Sequence, residues 1–188
     1  MSWPYGLDLA AKVSFAAGLA VEACLEHYLE RVGYSRSLRL KWPNDVLLGG
    51  SKISGVLVET SEGEAGRWLS VGVGVNLSQA PDLPDRPTTA LSAMLNGPTP
   101  SPEAFLSLLS ERMDRQIEKL RLGGFDAMRL DWLARAFGLG EAVCVRLDGQ
   151  TCEGIFETLD NDGALVISQS NGLRRRVTAG EVQVLSSA

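Results

Sequence analysis

Cysteine, histidine and aromatic residues are all scarce in this 188-residue chain. The three cysteines, Cys24, Cys144 and Cys152, are odd in number and form no CxxC or Cys/His cluster. That argues against a disulfide framework or a zinc site and points to reduced thiols in the cytoplasm. The one histidine, His27, lies between Glu26 and Glu30 in a helical pattern and reads as a solvated side chain. Basic excess is missing too: 18 Lys and Arg stand against 23 Asp and Glu, for a net charge of −5. A broad basic face for DNA is therefore not expected. No apolar run approaches the ~20 residues of a membrane helix, so no membrane partner is expected. The start, Met1-Ser2-Trp3-Pro4, has no basic segment followed by an apolar core, and no signal peptide is expected. There is no internal repeat and no low-complexity segment. What remains is a chain of ordinary globular composition, long enough for one domain with a small appendage.

Residues 7–31 read as a helix with an unusually small-faced surface, rich in alanine. Leu9, Val13, Ala17, Ala20 and Cys24 recur at helical spacing, and Cys24 reads as core. Small residues let such a helix lie close to a sheet, and Gly33 is its expected stop. Leu38 to Trp42 alternates apolar and basic residues, the pattern of a half-buried strand. Val46 to Leu48, Gly49-Gly50 and Ile53 to Glu59 read as a hairpin with a tight glycine turn. Trp68 to Asn76 reads as a further strand, in which Gly72 and Gly74 mark close approach of backbone or ligand. Residues 79–87 read as a loop. Ser101-Pro102 starts a helix that runs to Gly123-Gly124, with another from Phe125 to about Phe137.

From Gly140 the texture changes to five short strands separated by Asp148-Gly149, Asn161-Asp162-Gly163 and Asn171-Gly172, each a tight-turn signal. This spacing predicts a small closed barrel. Arg174-Arg175-Arg176 reads as an exposed edge rather than a nucleic-acid patch. The expected division is 1–138 and 139–188.

Chemistry is concentrated in Lys41-Trp42-Pro43-Asn44-Asp45, followed by Lys52 and by Ser54-Gly55-Val56-Leu57-Val58-Glu59. A basic residue, an amide and a carboxylate fall within five positions between two strands. Taken singly, these residues have plain readings: Asn44-Asp45 after proline is a turn signal, Lys52 beside a hairpin turn faces solvent, Asn76 ends a strand, and Trp42 is core.

Together, in order, the blocks Lys41–Asp45, Lys52–Glu59 and Gly72-Val73-Gly74-Val75-Asn76-Leu77 resemble the catalytic domain of bacterial biotin–protein ligases. Thr88-Thr89-Ala90-Leu91-Ser92 and Gly123-Gly124-Phe125 fit the helical region that follows. Gly154-Ile155, Gly163-Ala164-Leu165 and Ala179-Gly180-Glu181-Val182 resemble the family's C-terminal SH3-like barrel. The resemblance implies an α+β fold: a mixed sheet packed with helices, like the class II synthetase core, plus that small β-barrel. It implies a reaction in which biotin and ATP give biotinyl-5′-AMP, and biotin then passes to a lysine of a biotin carboxyl carrier protein, such as that of acetyl-CoA carboxylase. Adenylation needs positive charge between two anions, groups that hold the nucleotide, and usually Mg²⁺ for the departing pyrophosphate. Lys52 is a compact charge suited to bridging the biotin carboxylate and the α-phosphate. Asp45 would serve the metal or the acceptor lysine. Asn44 and Asn76 would serve the nucleotide side, and Lys41 would lie near the phosphates. Gly55 and Leu57 would offer backbone contacts to biotin, and Gly72 and Gly74 would complete a narrow slot.

The family's glycine–arginine-rich loop, roughly GRGRxGR, does not occur in the sequence. The chain begins where the resemblance puts a helix, so an N-terminally incomplete catalytic domain of low activity is expected. A bare sheet edge and an uncovered apolar face on helix 7–31 follow from that, with a homodimer as one way to cover them. No helix-turn-helix unit precedes the motif, so a repressor role is not expected. Two other functions fit the same residues: a non-catalytic nucleotide- or biotin-binding module, and a lipoate-type ligase.

Overall fold

The first helix is the centre of the molecule. The computed structural model describes residues 7–33, 37–63, 66–84, 86–147 and 150–185. Within it, α1 (Leu7–Leu29) passes into a 3₁₀ turn, Glu30–Val32, which Gly33 closes with φ 78° and an N–H bonded to the Glu30 carbonyl at 3.2 Å. Val13, Ala17, Ala20 and Cys24 are fully buried, as their spacing requires. The opposite faces are buried as well: Phe15, Leu19, Val21, Leu25 and Leu29 are all below 6% exposed. An uncovered helix face is therefore not found from Val13 onward. α1 is sandwiched between a sheet and α2 (Pro102–Leu133), which covers it from outside. Phe15 of α1 meets Phe125 and Trp132 of α2 edge-on, at centroid distances of 5.1 and 5.6 Å.

The sheet beneath α1 is β1 (Leu38–Lys41), β2 (Asp45–Leu48), β3 (Ser51–Gly63) and β4 (Gly66–Val75), in that spatial order. Its ladders are all antiparallel. The expected mixed pairing survives, among the described residues, only as two isolated parallel bridges, Leu40 to Ala136 and Lys52 to Thr88. Gly49 and Gly50 join β2 to β3 with φ 58° and 83°, the doubly positive turn that matches the twist of a hairpin. On the helix side, Gly18 faces Leu40, whose Cδ2 lies 3.7 Å from where a Cβ at position 18 would be, an ordinary packing distance.

Ser101 caps α2, accepting the Ala104 N–H at 3.2 Å, with Pro102 in the first turn. The expected break at Gly123-Gly124 is present: Gly124 leaves helical geometry, with φ 71° and ψ −173°, and a second helical segment runs from there to Leu133, burying Phe125, Met128 and Trp132.

The C-terminal strands are β5 (Ala142–Leu147), β6 (Gln150–Leu159), β7 (Leu165–Ser168), β8 (Arg174–Val177) and β9 (Glu181–Val184), in the order β8-β7-β6-β5-β9. The expected closed barrel is not formed: no ladder joins β8 to β9 among the described residues. The sheet is nevertheless rolled. A flat sheet would hold its two edge strands about 19 Å apart at ordinary strand spacing. The four chain steps from Val177 to Glu181 reach about 14 Å at most. The two edges thus meet at a corner, where Gly180 packs so tightly on β5 that a Cβ would lie 2.7 Å from the Arg146 carbonyl oxygen. Arg174 and Arg176 are exposed on the β8 edge and paired with Glu157, Asp160 and Asp162. The turn expected at Asp148-Gly149, the start Met1-Ser2-Trp3-Pro4 and the side chain of Leu9 lie outside the described residues.

Two buried groups give tests of this packing. Glu22 of α1 is 6% exposed, and Arg135 donates to its Oε1 at 3.2 Å. Burial raises its carboxyl above the usual range, with Arg135 opposing. A raised folded-state pKa adds stability at low pH and loses it as pH rises through that value. Glu22→Gln is therefore expected to gain stability relative to the parent as the pH rises above the ordinary glutamate range, read by denaturant melts at each pH. Burial likewise pushes the Cys24 thiol up to about 11. Cys24 is expected to resist alkylation at neutral pH until the protein unfolds, as peptide mapping would report.

Candidate active site

The motif residues straddle the point where β1 turns into β2. Lys41 and Asp45 are opposite one another in the β1–β2 register, with the turn Trp42–Asn44 between them. Asn44 extends the β2 edge by one more clamp: its carbonyl accepts the Val56 N–H at 2.9 Å and its Nδ2 donates to the Val56 carbonyl at 2.6 Å. Asp45 is then opposite Gly55 on β3.

A register shift between Val46 and Leu47 displaces the hairpin by one residue before Lys52. Such a bulge re-aims side chains. Here the Lys52 Nζ donates to the Asp45 Oδ1, both groups being partly buried. The pair lies directly over Gly55. A Cβ at that position would be 3.0 Å from the lysine Nζ, 3.2 Å from its Cε and 3.3 Å from the Asp45 Oδ1. Gly55 faces Gly74 across β3–β4, and Leu57 faces Gly72. The result is a floor with no side chain on three of its four positions, and a Leu57 side chain that is 59% exposed beside it.

The backbone of Lys52 is held from the other side by a segment far away in sequence. Where β4 ends at Val75, residues 87–89 take over the edge of β3: the Lys52 N–H donates to the Pro87 carbonyl at 2.9 Å and the Thr89 N–H donates to the Lys52 carbonyl at 3.0 Å. Asn76 braces that segment, with Nδ2 donating to the Thr89 carbonyl at 3.0 Å and its own carbonyl accepting from Leu91. Ser54, 2% exposed, ties the floor together by donating to the Gly74 carbonyl at 2.7 Å. A cleft of about 360 Å³ opens here, bounded by Lys52, Gly55, Gly74, Asn76, Pro81, Leu83 and Thr88. A second hollow, about 460 Å³, lies toward α1 beside Asn44, Val56, Leu57 and Ser14.

Lys52, Gly55, Gly74 and Asn76 thus line one cleft, with Asp45 joined to it through Lys52, whereas Asn44 and Leu57 line the second hollow and Gly72 lies opposite Leu57. Asn44 and Asn76 each spend an Nδ2 donor on backbone, so both are braces whose side-chain Oδ1 atoms take no hydrogen bond among the described residues. Lys41 turns aside to the C-terminal sheet, where its Nζ is 3.9 Å from the Glu181 Oε1; Arg86 approaches the same oxygen at 3.7 Å. Arg86 and Pro87 carried no signal of a place at the site in the sequence; Ser54, Thr88, Thr89 and Glu181 lie in the family-like blocks but were given no role there.

Among the described residues, no group of three or more His, Cys, Asp or Glu side chains is placed to hold a metal ion. Asp45 fits a Mg²⁺ ion that arrives on nucleotide phosphates and takes one protein carboxylate, the common arrangement for this ion, rather than an all-protein cage.

Residues 10–76 match the sequence model of the biotin/lipoate A/B protein ligase family, and residues 138–185 match the biotin protein ligase C terminal domain. The chain is 39% identical over 182 residues to a biotin–[acetyl-CoA-carboxylase] ligase of Paracoccus denitrificans, an alignment covering 94% of this chain and 74% of that protein. The chain belongs to the biotin protein ligase family. A second such ligase, from Mycobacterium tuberculosis, is 33% identical, with 90% of this chain and 61% of the relative covered. The biotin protein ligase of Aquifex aeolicus, solved in complex with biotin and ATP, superposes with a TM-score of 0.75 at 25% identity over 94% of this chain and 72% of that one. Biotin protein ligases are thus matched through both the four-stranded sheet and the rolled C-terminal sheet.

Gly55→Ala is the most direct test of the site's geometry. The clash falls on the flexible end of a lysine, so the fold is expected to persist with a melting temperature near the parent's. Ligand affinity is expected to drop about tenfold or more, since the displaced ammonium leaves its place in a partly buried site. Calorimetric titration with ATP and biotin beside a thermal melt checks both halves.

Proposed function

We propose that this chain activates biotin with ATP and transfers it to a lysine of a biotin carboxyl carrier protein. The observation that carries this is the Lys52–Asp45 pair laid over a side-chain-free floor. An ammonium held there faces an open surface on which two anions can be brought together, the biotin carboxylate and the α-phosphate. In the first step a biotin carboxylate oxygen attacks the α-phosphorus and pyrophosphate leaves. Lys52 offsets the charge gathered between the reacting groups. Backbone groups of Gly55 and Leu57 contact biotin, and Gly72 and Gly74 leave room for it. Asn44 and Asn76 offer their side-chain Oδ1 atoms to the nucleotide, and Lys41 reaches the phosphates by leaving Glu181. Mg²⁺ arriving with ATP would supply positive charge for the departing pyrophosphate, and Asp45 is the residue that would hold it.

In the second step the carrier lysine amine attacks the biotinyl carbonyl carbon, AMP leaves, and the amine loses a proton. We assign that proton to Asp45, whose pairing with Lys52 supports the reading. The acetyl-CoA carboxylase named in the relatives supports a carboxylase carrier domain as the acceptor. No helix among the described residues is long and apolar enough to cross a membrane, and the three cysteines are free; the proposed location is the cytoplasm. β4 is an edge strand with no further neighbour in its sheet among the described residues, which supports self-association as a homodimer, readable by sedimentation.

The deciding assay is biotinyl-adenylate formation from labelled biotin and Mg·ATP, with octanoate and lipoate run in parallel because the family spans both activities. Slow turnover is expected from the 188-residue chain, which contains no glycine–arginine-rich string, and none from Lys52→Ala. A preference for lipoate would replace biotin as the substrate. Binding of ATP or biotin without any adenylate would make the chain a binding module.

A further inference from the structure

Trp42, in the middle of the signature string, does not face the cleft. It is 3% exposed, and its Nε1 donates to the Gly163 carbonyl at 3.0 Å, across 121 residues of chain. Gly163 lies in the turn between β6 and β7 of the C-terminal sheet and has φ 84°. A Cβ there would be 2.6 and 2.9 Å from the Phe15 ring of α1, so the turn can be seated only as glycine. That turn is itself fixed from two sides. Asp160 accepts the N–H groups of Asp162 and Ala164, each at 2.9 Å. Arg129 of α2 donates to the Leu159 carbonyl at 3.1 Å and to the Asn161 Oδ1 at 2.9 Å.

From these contacts we infer that Trp42 is a positioning residue, through which the 160–164 turn of the C-terminal sheet sets the placement of Asn44 and Asp45. Between the indole and the Asn44 clamp on Val56 there is only Pro43, whose ring restricts φ. The turn is therefore anchored at both ends, one in each sheet, with almost no slack between. A shift of the C-terminal turn is passed to Asn44, to the opposition of Asp45 and Gly55, and so to the carboxylate that receives Lys52. The inference rests on the proposed ligase reading only for its ligands; the placement itself is readable without any.

Three variants test it: Trp42→Phe, which keeps the ring and removes the donor; Arg129→Ala, which loosens the turn from its far side; and Arg174→Ala, which breaks an exposed β-sheet ion pair as a control. The first readout is the Asn44 side-chain amide resonance and the exchange rate of the Val56 amide in the unliganded protein. The second is calorimetric affinity for ATP and for biotin. The expected result is a shifted Asn44 resonance and faster Val56 exchange in both Trp42→Phe and Arg129→Ala. A loss of about tenfold in affinity should accompany them, the size of one buried hydrogen bond left unmade. Arg174→Ala should match the parent. An unchanged Asn44 resonance in Arg129→Ala, or the same shift in the control, overturns the inference even if Trp42→Phe does not fold. A parent that binds neither ligand overturns the ligase reading instead, and leaves the resonance test standing.

Discussion

The Lys52 ammonium and the Asp45 carboxylate meet above Gly55, where a Cβ would stand 3.0 Å from the lysine nitrogen. Three features have to agree for this contact to exist. The hairpin needs its register shift between Val46 and Leu47, or Lys52 would be aimed elsewhere. The floor needs glycine, or the pair would be lifted. The motif turn needs to end so that Asp45 falls opposite Gly55. A charged pair that is only partly buried adds little to stability by itself. Its arrangement is better explained by what can be placed against it than by what it does for the fold.

The supports come from parts of the chain that have no chemistry of their own. Pro87–Thr89 supplies the backbone partners of Lys52 on the side where β4 has ended. α1 supplies a buried layer against which the sheet is rigid, and α2 covers α1. The C-terminal sheet touches the motif twice, by the Trp42 hydrogen bond and by Glu181 beside Lys41. Its role in this chain is therefore not separable from the four-stranded sheet: a residue of the signature string is buried against it.

Much of the secondary structure was legible from local pattern. Gly49-Gly50 marked the hairpin, Ser101-Pro102 the start of α2, and Gly33 the end of the first helical segment, because capping and turn chemistry act within a few residues. The misreadings share one cause, which is that burial acts over long distances. Gly123-Gly124 is not among them: the break between two helical segments is there, with Gly124 at φ 71° and ψ −173°. The barrel looked closed because strand count and spacing say nothing about whether the last edge finds a partner. An uncovered apolar face was expected on helix 7–31 because the chain begins where the resemblance puts a helix, yet from Val13 onward the sheet and α2 cover it.

The sequence by itself determined the chemical inventory: a lysine, a carboxylate, two amides and a run of glycines in a fixed order along three strands. It also determined the family, since that order is specific. The tertiary structure alone decided that Lys52 bends back to Asp45, that Asn44 and Asn76 are braces on backbone, and that Trp42 belongs to the seam with the C-terminal sheet. The reason is range. Inventory and strand period are local properties, whereas the partners of Lys52, Asn76 and Trp42 lie on other strands, a distant loop and another sheet, positions that only the folded chain brings within hydrogen-bonding distance.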